Sequence, residues 1–420
     1  MAKKVNLPEP IIPNDSWKVV KLGQYVKILN GYPFDSSRFT NSNENTYPLI
    51  RIRDVVRGYT ETFTDEDCPD EYKIKKGEIL IGMDGDFNIS RWKSDFGLLN
   101  QRVCKISTVS KDLDEKFLFY YLPIPLKLIN DATPSVTVKH LSSTSLQELH
   151  FPLPTLAEQQ RIVNRIESMF AKLDEAKEKA QNVVDGFETR KAAILHKAFT
   201  GELTAKWRKE NGVSDESWKI VKLEDIVKKE KYSLKAGPFG SALKKEFYVQ
   251  KGFKIYGQEQ VLNSDENYGD YFIDEDKYNE LESCKIAPND ILISLVGTIG
   301  KTLILSEKCK PGIINPRLIK ISLDVNVMIP QFFTYYFGSD YCKSKYKAVQ
   351  HGTTMDVLNM GILKQLEYPC CTLPEQVEIV RILDIIIEKE NKAKQAAENV
   401  LEQIDLLKKS ILARAFRGEL

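Results

Sequence analysis

The chain has 420 residues, with 60 Lys or Arg against 59 Asp or Glu, so its formal net charge is +1. This length predicts two or three domains, and near neutrality excludes a protein that holds DNA by bulk positive charge alone. Seven cysteines without a Cys-x-x-Cys pair, no apolar leader after Met1 and no long apolar run favour a reduced, cytoplasmic protein over a secreted or membrane-spanning one.

Residues 1–16 are predicted to form an N-terminal extension. From Trp17 onward the sequence consists of two related repeats. A Trp-Lys-(Val/Ile)-Val-Lys-Leu motif, a Thr-Leu-x-Glu-Gln motif and an Ala-Phe-x-Gly-Glu-Leu motif each occur in both halves. The copies begin at Trp17 and Trp218, at Thr155 and Thr372, and at Ala198 and Ala415. Internal repetition on this scale indicates two copies of one structural unit.

Each half consists of a mixed block, rich in strand and turn signals, followed by a helical block. The predicted fold class is therefore α+β, with two similar globular domains separated by two long antiparallel coiled-coil helices and related by an approximate two-fold axis. After residues 1–16, the predicted segments are a first mixed domain at 17–154, a first helix at 155–203, a linker at 204–217, a second mixed domain at 218–371 and a second helix at 372–420.

Both helical blocks carry apolar or small residues at alternating steps of three and four, which is a heptad pattern. Arg190 and Glu390 interrupt it. Each helix would be about 40 residues and roughly 60 Å long, and neither could bury its seam alone. We expect the two helices to pair; the alternative is that each seam packs on its own domain or on another chain. The predicted seam residues are Ile162, Ile166, Met169, Leu173, Ala176, Ala180, Val183, Phe187, Ile379, Leu383, Ile386, Ala393, Ala397, Val400, Ile404, Leu407 and Ile411.

The two mixed blocks share turns and apolar strands but differ in their polar loops, where recognition residues typically lie on a common scaffold. Arg, Lys, Asn, Gln and Ser can hydrogen-bond base edges, and aromatic rings can stack or wedge. The alternative for each residue is an ordinary solvated loop. The candidate DNA contacts are Tyr32, Ser36, Ser37, Arg38, Arg53, Asp84, Asn88, Arg91, Trp92 and Arg102 in the first block, and Lys235, Phe239, Ser241, Lys244, Lys245, Thr298, Lys301, Arg317, Thr353 and Thr354 in the second.

No catalytic or metal-binding constellation is predicted. Gly297–Thr302 imitates a phosphate loop, but the glycine that the motif needs is replaced by Leu295. Asn315-Pro316-Arg317 lacks the second proline and the aromatic residue of the adenine methyltransferase motif. The four histidines show no metal-ligand spacing.

The chain resembles the specificity subunits of type I restriction–modification enzymes. The features that carry the resemblance are Trp17 and Trp218 at the block starts, Pro-Leu-Pro-x-Leu-x-Glu-Gln at 152–159, its weaker copy at 369–376, and the Ala-Phe-x-Gly-Glu-Leu helix ends. Cys370-Cys371 replaces Leu-Pro in that second copy. The match extends over essentially the whole chain.

The resemblance implies that each mixed block is a target recognition domain for one half of a split, asymmetric double-stranded DNA site. Two methyltransferase subunits that use S-adenosylmethionine, and up to two restriction subunits that use ATP and Mg²⁺, would join the chain. The chain itself would be non-catalytic and would hold no cofactor or metal. The alternatives are a self-sufficient methyltransferase or nuclease and a coiled-coil scaffold with two protein-binding heads.

Overall fold

The computed structural model describes residues 17–133, 139–239, 241–295, 299–349 and 358–420, apart from the side chains of 347–349. The chain divides into two compact units. Unit 1 comprises residues 1–181 and 398–420, and unit 2 comprises residues 182–397. Residues 398–420 therefore belong to the same unit as the first mixed block. The predicted segments follow the sequence order and did not group these residues with that block. The predicted N-terminal extension lies outside the described residues.

The first mixed block is built from short strands and four helices within its described residues. The strands are β1 (Lys18–Lys21), β2 (Val26–Asn30), β3 (Phe39–Thr40), β4 (Tyr47–Ile50), β5 (Phe63–Thr64), β6 (Lys73–Lys75), β7 (Ile79–Gly82), β8 (Ile89–Arg91), β9 (Phe96–Leu99), β10 (Val103–Thr108) and β11 (His150–Leu153). The helices are α1 (Asp54–Arg57), α2 (Glu115–Tyr121), α3 (Pro123–Ala132) and α4 (Ser143–Gln147).

Two consecutive helices follow, α5 (Leu156–Asp185) and α6 (Phe187–Phe199), and the predicted linker contains a further helix, α7 (Ala205–Glu210). The strands of the second mixed block are β12 (Lys219–Val221), β13 (Leu234–Ala236), β14 (Phe253–Tyr256), β15 (Phe272–Ile273), β16 (Ile291–Ser294), β17 (Thr302–Ile304), β18 (Gly312–Ile314), β19 (Leu318–Ile321) and β20 (Tyr368–Cys370). Its helices are α8 (Leu223–Ile226), α9 (Gln258–Asn263), α10 (Glu275–Glu280), α11 (Pro330–Phe337), α12 (Asp340–Val349) and α13 (Met360–Gln365), and the long helix α14 (Leu373–Ala415) follows.

The two mixed blocks share one topology. In the described residues, the four-stranded sheet β2-β10-β7-β8 of unit 1 corresponds to β13-β19-β16-β17 of unit 2. A parallel pair, β4 with β9, corresponds to β14 with β18. The strands that open and close each block also pair, β1 with β11 and β12 with β20. The predicted α+β class and the two similar globular domains are confirmed.

Strands β7 and β16 are buried on both faces, which explains their continuous apolar sequences. In β16, Ile291 and Ile293 pack in one core with α11, and Leu292 packs in a second core with the parallel strand pair. In β7, Ile79 and Ile81 pack with α2 and α5, whereas Leu80 faces the other side. Alternate side chains of one strand thus join two cores in each unit.

In unit 1, α5 pairs antiparallel with the end of α14. Ion pairs join Asp174 to Lys408 and Lys177 to Asp405, so the residue numbers rise along one helix as they fall along the other. Ala415 and the adjoining Phe416 are buried in the core of the first mixed block, where the Phe416 ring lies 5.3 Å from that of Phe117. The C-terminal segment thereby completes this core.

In unit 2, α6 pairs antiparallel with the first part of α14. Arg190 Nε lies 2.8 Å from Glu390 Oε2, so the two residues that interrupt the predicted seams bind each other. The same guanidinium donates to the carbonyl oxygen of Val183 at 2.9 Å, beside Gly186, where α5 ends and α6 begins. A helix break at a glycine leaves carbonyls without a helical partner, and Arg190 supplies one.

The predicted seam is largely buried or half-buried, but three of its positions, Ala393, Val400 and Leu407, are exposed. The seam prediction is wrong at these three positions. After Glu390 the next residue that faces the partner helix is four positions on, at Lys394, and not three positions on, at Ala393. The seam continues through Lys394, Leu401 and Lys408, together with predicted seam residues such as Ala397 and Ile404. Lys394 lies over the Phe187 ring at 4.8 Å and Lys408 over the Phe170 ring at 5.1 Å. The aliphatic stems of lysines cover apolar surface in this way, and a pattern of apolar residues does not include them.

The buried residues of the predicted seam are Ile162, Ile166, Ala180, Phe187, Ile379, Leu383, Ala397 and Ile404. The half-buried members are Met169, Leu173, Ala176, Val183, Ile386 and Ile411.

The repeated glutamine at each long-helix start fixes that helix to its mixed block. Gln159 is fully buried, accepts a hydrogen bond from the Asp114 N–H and donates to the Asp112 and Pro154 carbonyls. Gln376 accepts from the Ile329 N–H and donates to the Val327 and Cys371 carbonyls. One amide thus satisfies three backbone groups in each copy, which accounts for the repeated glutamine.

Candidate nucleic-acid interface

In unit 1, several polar loops meet at the carboxyl ends of the parallel strands β4 and β9. Arg51 follows β4, and Asn100, Gln101 and Arg102 follow β9. Ends of parallel strands lie at the same edge of a sheet, so these side chains come together. They line a cleft of about 250 Å³ with Phe34, Ser36, Phe39 and Ile52. We call this set, with Gly31–Arg38 and Asp84–Asn88, loop edge 1.

Backbone hydrogen bonds hold the loops of loop edge 1 together. The Gly31 N–H donates to the Val103 carbonyl and the Tyr32 N–H to the Leu99 carbonyl. A Cβ at Gly31 would lie 2.0 Å from the Asn100 oxygen, so only glycine permits this approach. On the other side, the Met83 N–H donates to the Arg102 carbonyl.

Unit 2 has the equivalent arrangement, which we call loop edge 2: residues 237–239, Gln258, Lys301 and 315–317. Gln258 follows β14, and Asn315 follows its parallel partner β18. A Cβ at Gly237 would lie 1.8 Å from the Asn315 oxygen. The Gly237 N–H donates to the Leu318 carbonyl at 2.9 Å, and the Leu295 N–H donates to the Arg317 carbonyl at 3.0 Å. The two units therefore present the same loops at the same edge with different side chains.

The predicted contacts of the first block lie mostly at loop edge 1. Ser36, Ser37, Arg38, Arg53, Asn88 and Arg102 are exposed, and Tyr32 and Asp84 are half-buried. Asp84 Oδ1 lies 2.7 Å from His140 Nδ1, and its other oxygen lies 3.4 Å from the Arg102 guanidinium, so the carboxylate orients two side chains at the edge. The Tyr32 ring packs against Phe34 and Tyr72 and supports the loop from beneath.

Local hydrogen bonds also fix the charges at loop edge 1. The hydrogen bond from Arg38 Nε to Asp65, 2.7 Å long, raises the pKa of Arg38 and lowers that of Asp65. The Ser37 backbone N–H lowers the pKa of Asp35 by donating to its carboxylate. Arg53 donates to the Thr62 hydroxyl at 3.0 Å. Arg38 is thus partly neutralised by a carboxylate, whereas Arg51 lies 5.9 Å from the Phe39 ring.

Trp92 and Arg91 do not lie at the edge, which corrects two of the predicted contacts. Trp92 is only 1% exposed and packs with Ile50, Leu99 and Val103. Arg91 pairs with Glu115 at 2.7 Å and lies over the Phe119 ring. Residues 89–91 form β8, the second strand of a hairpin with β7, so side chains beyond the turn face the interior or the helices.

In the second block, Arg317, Lys301, Ser241, Lys244 and Lys245 are exposed, and Phe239 is the most exposed of the large hydrophobic residues identified. Lys235 lies in β13, half-buried, with its ammonium 5.9 Å from the Tyr232 ring. Lys244 pairs with Glu246 at 3.5 Å. The predicted contacts Thr298, Thr353 and Thr354 lie outside the described residues.

The sequence analysis missed Arg51, Gln101 and Gln258. Arg51 and Arg102 line one cleft although about 50 residues separate them, and Arg317 Nη1 lies 3.5 Å from Gln258 Oε1. A usable signal existed, since each residue follows an apolar run that forms a parallel strand. Pairing those runs requires the topology, which loop composition alone does not provide.

Among the described residues, no group of three or more His, Cys, Asp or Glu side chains is arranged to hold a metal ion. No described helix combines the length and apolarity required to cross a bilayer.

Comparisons with known proteins identify the class of this duplicated architecture. The family model for the type I restriction modification DNA specificity domain matches residues 14–184 and 215–403. The chain is 33% identical over 97% of its length to the type I restriction enzyme EcoBI specificity subunit of Escherichia coli, of which it covers 87%. It is 24% identical over 97% of its length to the MjaVIII specificity subunit of Methanocaldococcus jannaschii, of which it covers 94%.

Two solved structures share the fold. One comes from work on "complex assembly and conformational transition of the type I R-M system", with a TM-score of 0.66, 18% identity, and coverage of 99% of this chain and 100% of the other. The other is the HsdS subunit from Thermoanaerobacter tengcongensis, with a TM-score of 0.59, 18% identity, and coverage of 97% and 98%. The chain belongs to the family of type I restriction–modification specificity subunits, and it is a DNA-specificity component rather than a catalytic one.

Proposed function

We propose that this chain recognises a bipartite, asymmetric site in double-stranded DNA, one half-site with each unit, and positions methyltransferase subunits on it. One observation carries the proposal: loop edges 1 and 2 have the same backbone arrangement but different side chains. Equal scaffolds place their loops equivalently, and different side chains select different bases. The target would therefore have two unlike halves.

The antiparallel helix segments would set the distance between the half-sites. Within each unit, the long helices are anchored in the core by Gln159 or Gln376 and joined by ion pairs. Rigid elements of fixed length suit a separation measured in base pairs. In this proposal the helices act as a spacer as well as a structural support.

The chemistry would belong to partner subunits. Two methyltransferase subunits would bring S-adenosylmethionine, and restriction subunits, where present, would use ATP and Mg²⁺, so this chain would need no cofactor of its own. A target adenine inside a duplex must leave the stack before it can be methylated, and the chain would fix where that happens. We place this complex in the cytoplasm, in contact with the genome.

The test lengthens both helices at once. Seven helix-forming residues are inserted after Gln181 and seven after Asn399, positions that the ion pairs Asp174–Lys408 and Arg190–Glu390 flank. Each insert adds about 10 Å at 1.5 Å per residue, or about three base pairs at 3.4 Å each. Methylome sequencing of cells that carry the variant and its methyltransferase partner should show unchanged half-sites separated by about three more base pairs.

A matched control carries the same seven residues at Gly212, an exposed turn position where an added Cβ would meet no atom within 4 Å. It should leave the spacing unchanged. Unchanged spacing in the double-helix insertion would contradict the spacer role. Absence of any site-specific methylation with the wild-type chain would contradict DNA recognition itself.

A further inference from the structure

The Phe239 side chain, at loop edge 2, is a conspicuously exposed apolar group. It is 90% exposed, the largest exposed fraction among the large hydrophobic residues identified in the described part of the chain. Burying a phenylalanine side chain stabilises a folded protein, so a ring held in water gives up that stabilisation. An exposed aromatic ring on a loop of loop edge 2 is available to stack on a base of bound DNA.

The equivalent residue of unit 1 behaves differently. Phe34 is only 5% exposed, and its ring packs 4.9 Å from that of Tyr32. The local sequences explain the contrast: unit 1 has Gly31-Tyr-Pro-Phe34, whereas unit 2 has Gly237-Pro-Phe239, one residue shorter. Both glycines are fixed against an asparagine carbonyl. With one residue fewer between the fixed glycine and the phenylalanine, the ring leaves the protein at a different point, and it is exposed in unit 2 and buried in unit 1.

The surroundings of Phe239 suit a nucleic acid. The Gly237 backbone lies against the turn that carries Arg317, and the Ser294 and Leu295 N–H groups bond to the carbonyls of Lys301 and Arg317. Arg317 and Lys301 are exposed. The loop that carries the exposed Phe239 ring thus lies beside turns that carry exposed cations, a combination that suits bases flanked by phosphates.

We propose that Phe239 inserts between, or stacks on, bases of the half-site bound by unit 2, while unit 1 makes no equivalent insertion. The inference rests on the proposed function of DNA recognition. Apolar wedges partly unstack a base step and kink the duplex, and the flanking cations bind the phosphates of the distorted backbone. Unit 2 would then recognise the deformability of its half-site as well as its base edges.

The test uses the full chain with its methyltransferase partner and duplexes that carry the target determined by methylome sequencing. Phe239→Ala should weaken binding roughly 10-fold to 100-fold, the range expected for one lost base–aromatic contact. Phe239→Trp should bind within about 3-fold of the wild type. A mismatched base pair weakens the stacking of its neighbours before the protein binds. A mismatch in one half-site should therefore restore much of the affinity lost by Phe239→Ala, because less free energy is needed to unstack the bases.

Tyr341→Ala is the matched control, since Tyr341 is an aromatic of the same unit, 51% exposed, on helix α12. It should bind like the wild type. Normal DNA affinity for Phe239→Ala would overturn the proposal, and loss of the methyltransferase subunit instead would assign the ring to a protein contact. If the wild-type complex itself shows no preference for the target, the proposed function fails, a result distinct from failure of the insertion.

Discussion

At the residue scale, the duplication offers pairs of equivalent positions in different environments. Glu375 is fully buried, and its Oε1 accepts from Arg208 and Thr204 at 2.6 Å each and from Trp218 Nε1 at 3.0 Å. Its counterpart Glu158 is partly exposed and pairs with Arg161. The same glutamate thus joins the linker to α14 in unit 2 but forms a surface pair in unit 1.

Arg208→Ala is expected to destabilise unit 2 by about 3–5 kcal/mol, because it leaves the Glu375 carboxylate buried without its cation. Arg161→Ala, the matched control, should cost less than about 1 kcal/mol, since exposed ion pairs contribute little. Hydrogen exchange of peptides covering Ala205–Glu210 and the start of α14 measures the difference. Equal protection in the two variants would refute the structural role of Arg208.

Arg51 provides the sharpest residue test of loop edge 1. Arg51→Ala should weaken binding to the target by about 1–3 kcal/mol and relax the sequence preference within one half-site. Arg57→Ala removes an exposed arginine from the nearby helix α1, where it pairs with Glu61 at 4.0 Å, and should change neither. Binding titrations against duplexes altered in each half-site decide the matter; a uniform loss on all sequences would make Arg51 a phosphate contact.

At the element scale, Arg190 and Glu390 mark where the helix pair changes its seam. Glu390→Leu alone should destabilise unit 2 by about 1–2 kcal/mol, because Arg190 loses its partner in a partly buried position. Arg190→Leu combined with Glu390→Leu should recover most of that loss, as apolar replacement of a whole buried pair often does. Urea unfolding with a double-mutant cycle measures both, and additive effects would exclude coupling.

The long helices and the two-fold repetition could be predicted from sequence because heptads and repeated motifs are local patterns. The stripe after Glu390 could not, since Lys394 and Lys408 cover aromatic rings with their stems. Trp92 looked like a loop aromatic because the turn of the β7–β8 hairpin is short and polar. Arg51 and Gln258 could not be predicted from the sequence, because only the parallel strand pairs bring them to loop edges 1 and 2.

At the scale of the whole molecule, the net charge of +1 limits how much of the DNA affinity comes from phosphate contacts. The chain alone should therefore show a shallow dependence of log Kd on log salt concentration, and adding the methyltransferase subunit should steepen it by the number of phosphates that the subunit contacts. Titrations from about 50 to 300 mM salt test this. Identical slopes with and without the partner would mean that the chain supplies the electrostatic contacts itself.

The place of the C-terminal segment in unit 1 has a consequence for biosynthesis. Phe416 lies against Phe117 and Tyr121, and Ala415 is 1% exposed in the same core. A ribosome makes residues 17–181 long before it makes Ala415 and Phe416. Unit 2 needs only residues 182–397 and can therefore fold while the rest is being made. Unit 1 must wait, with an open apolar face, until residues 398–420 have been made.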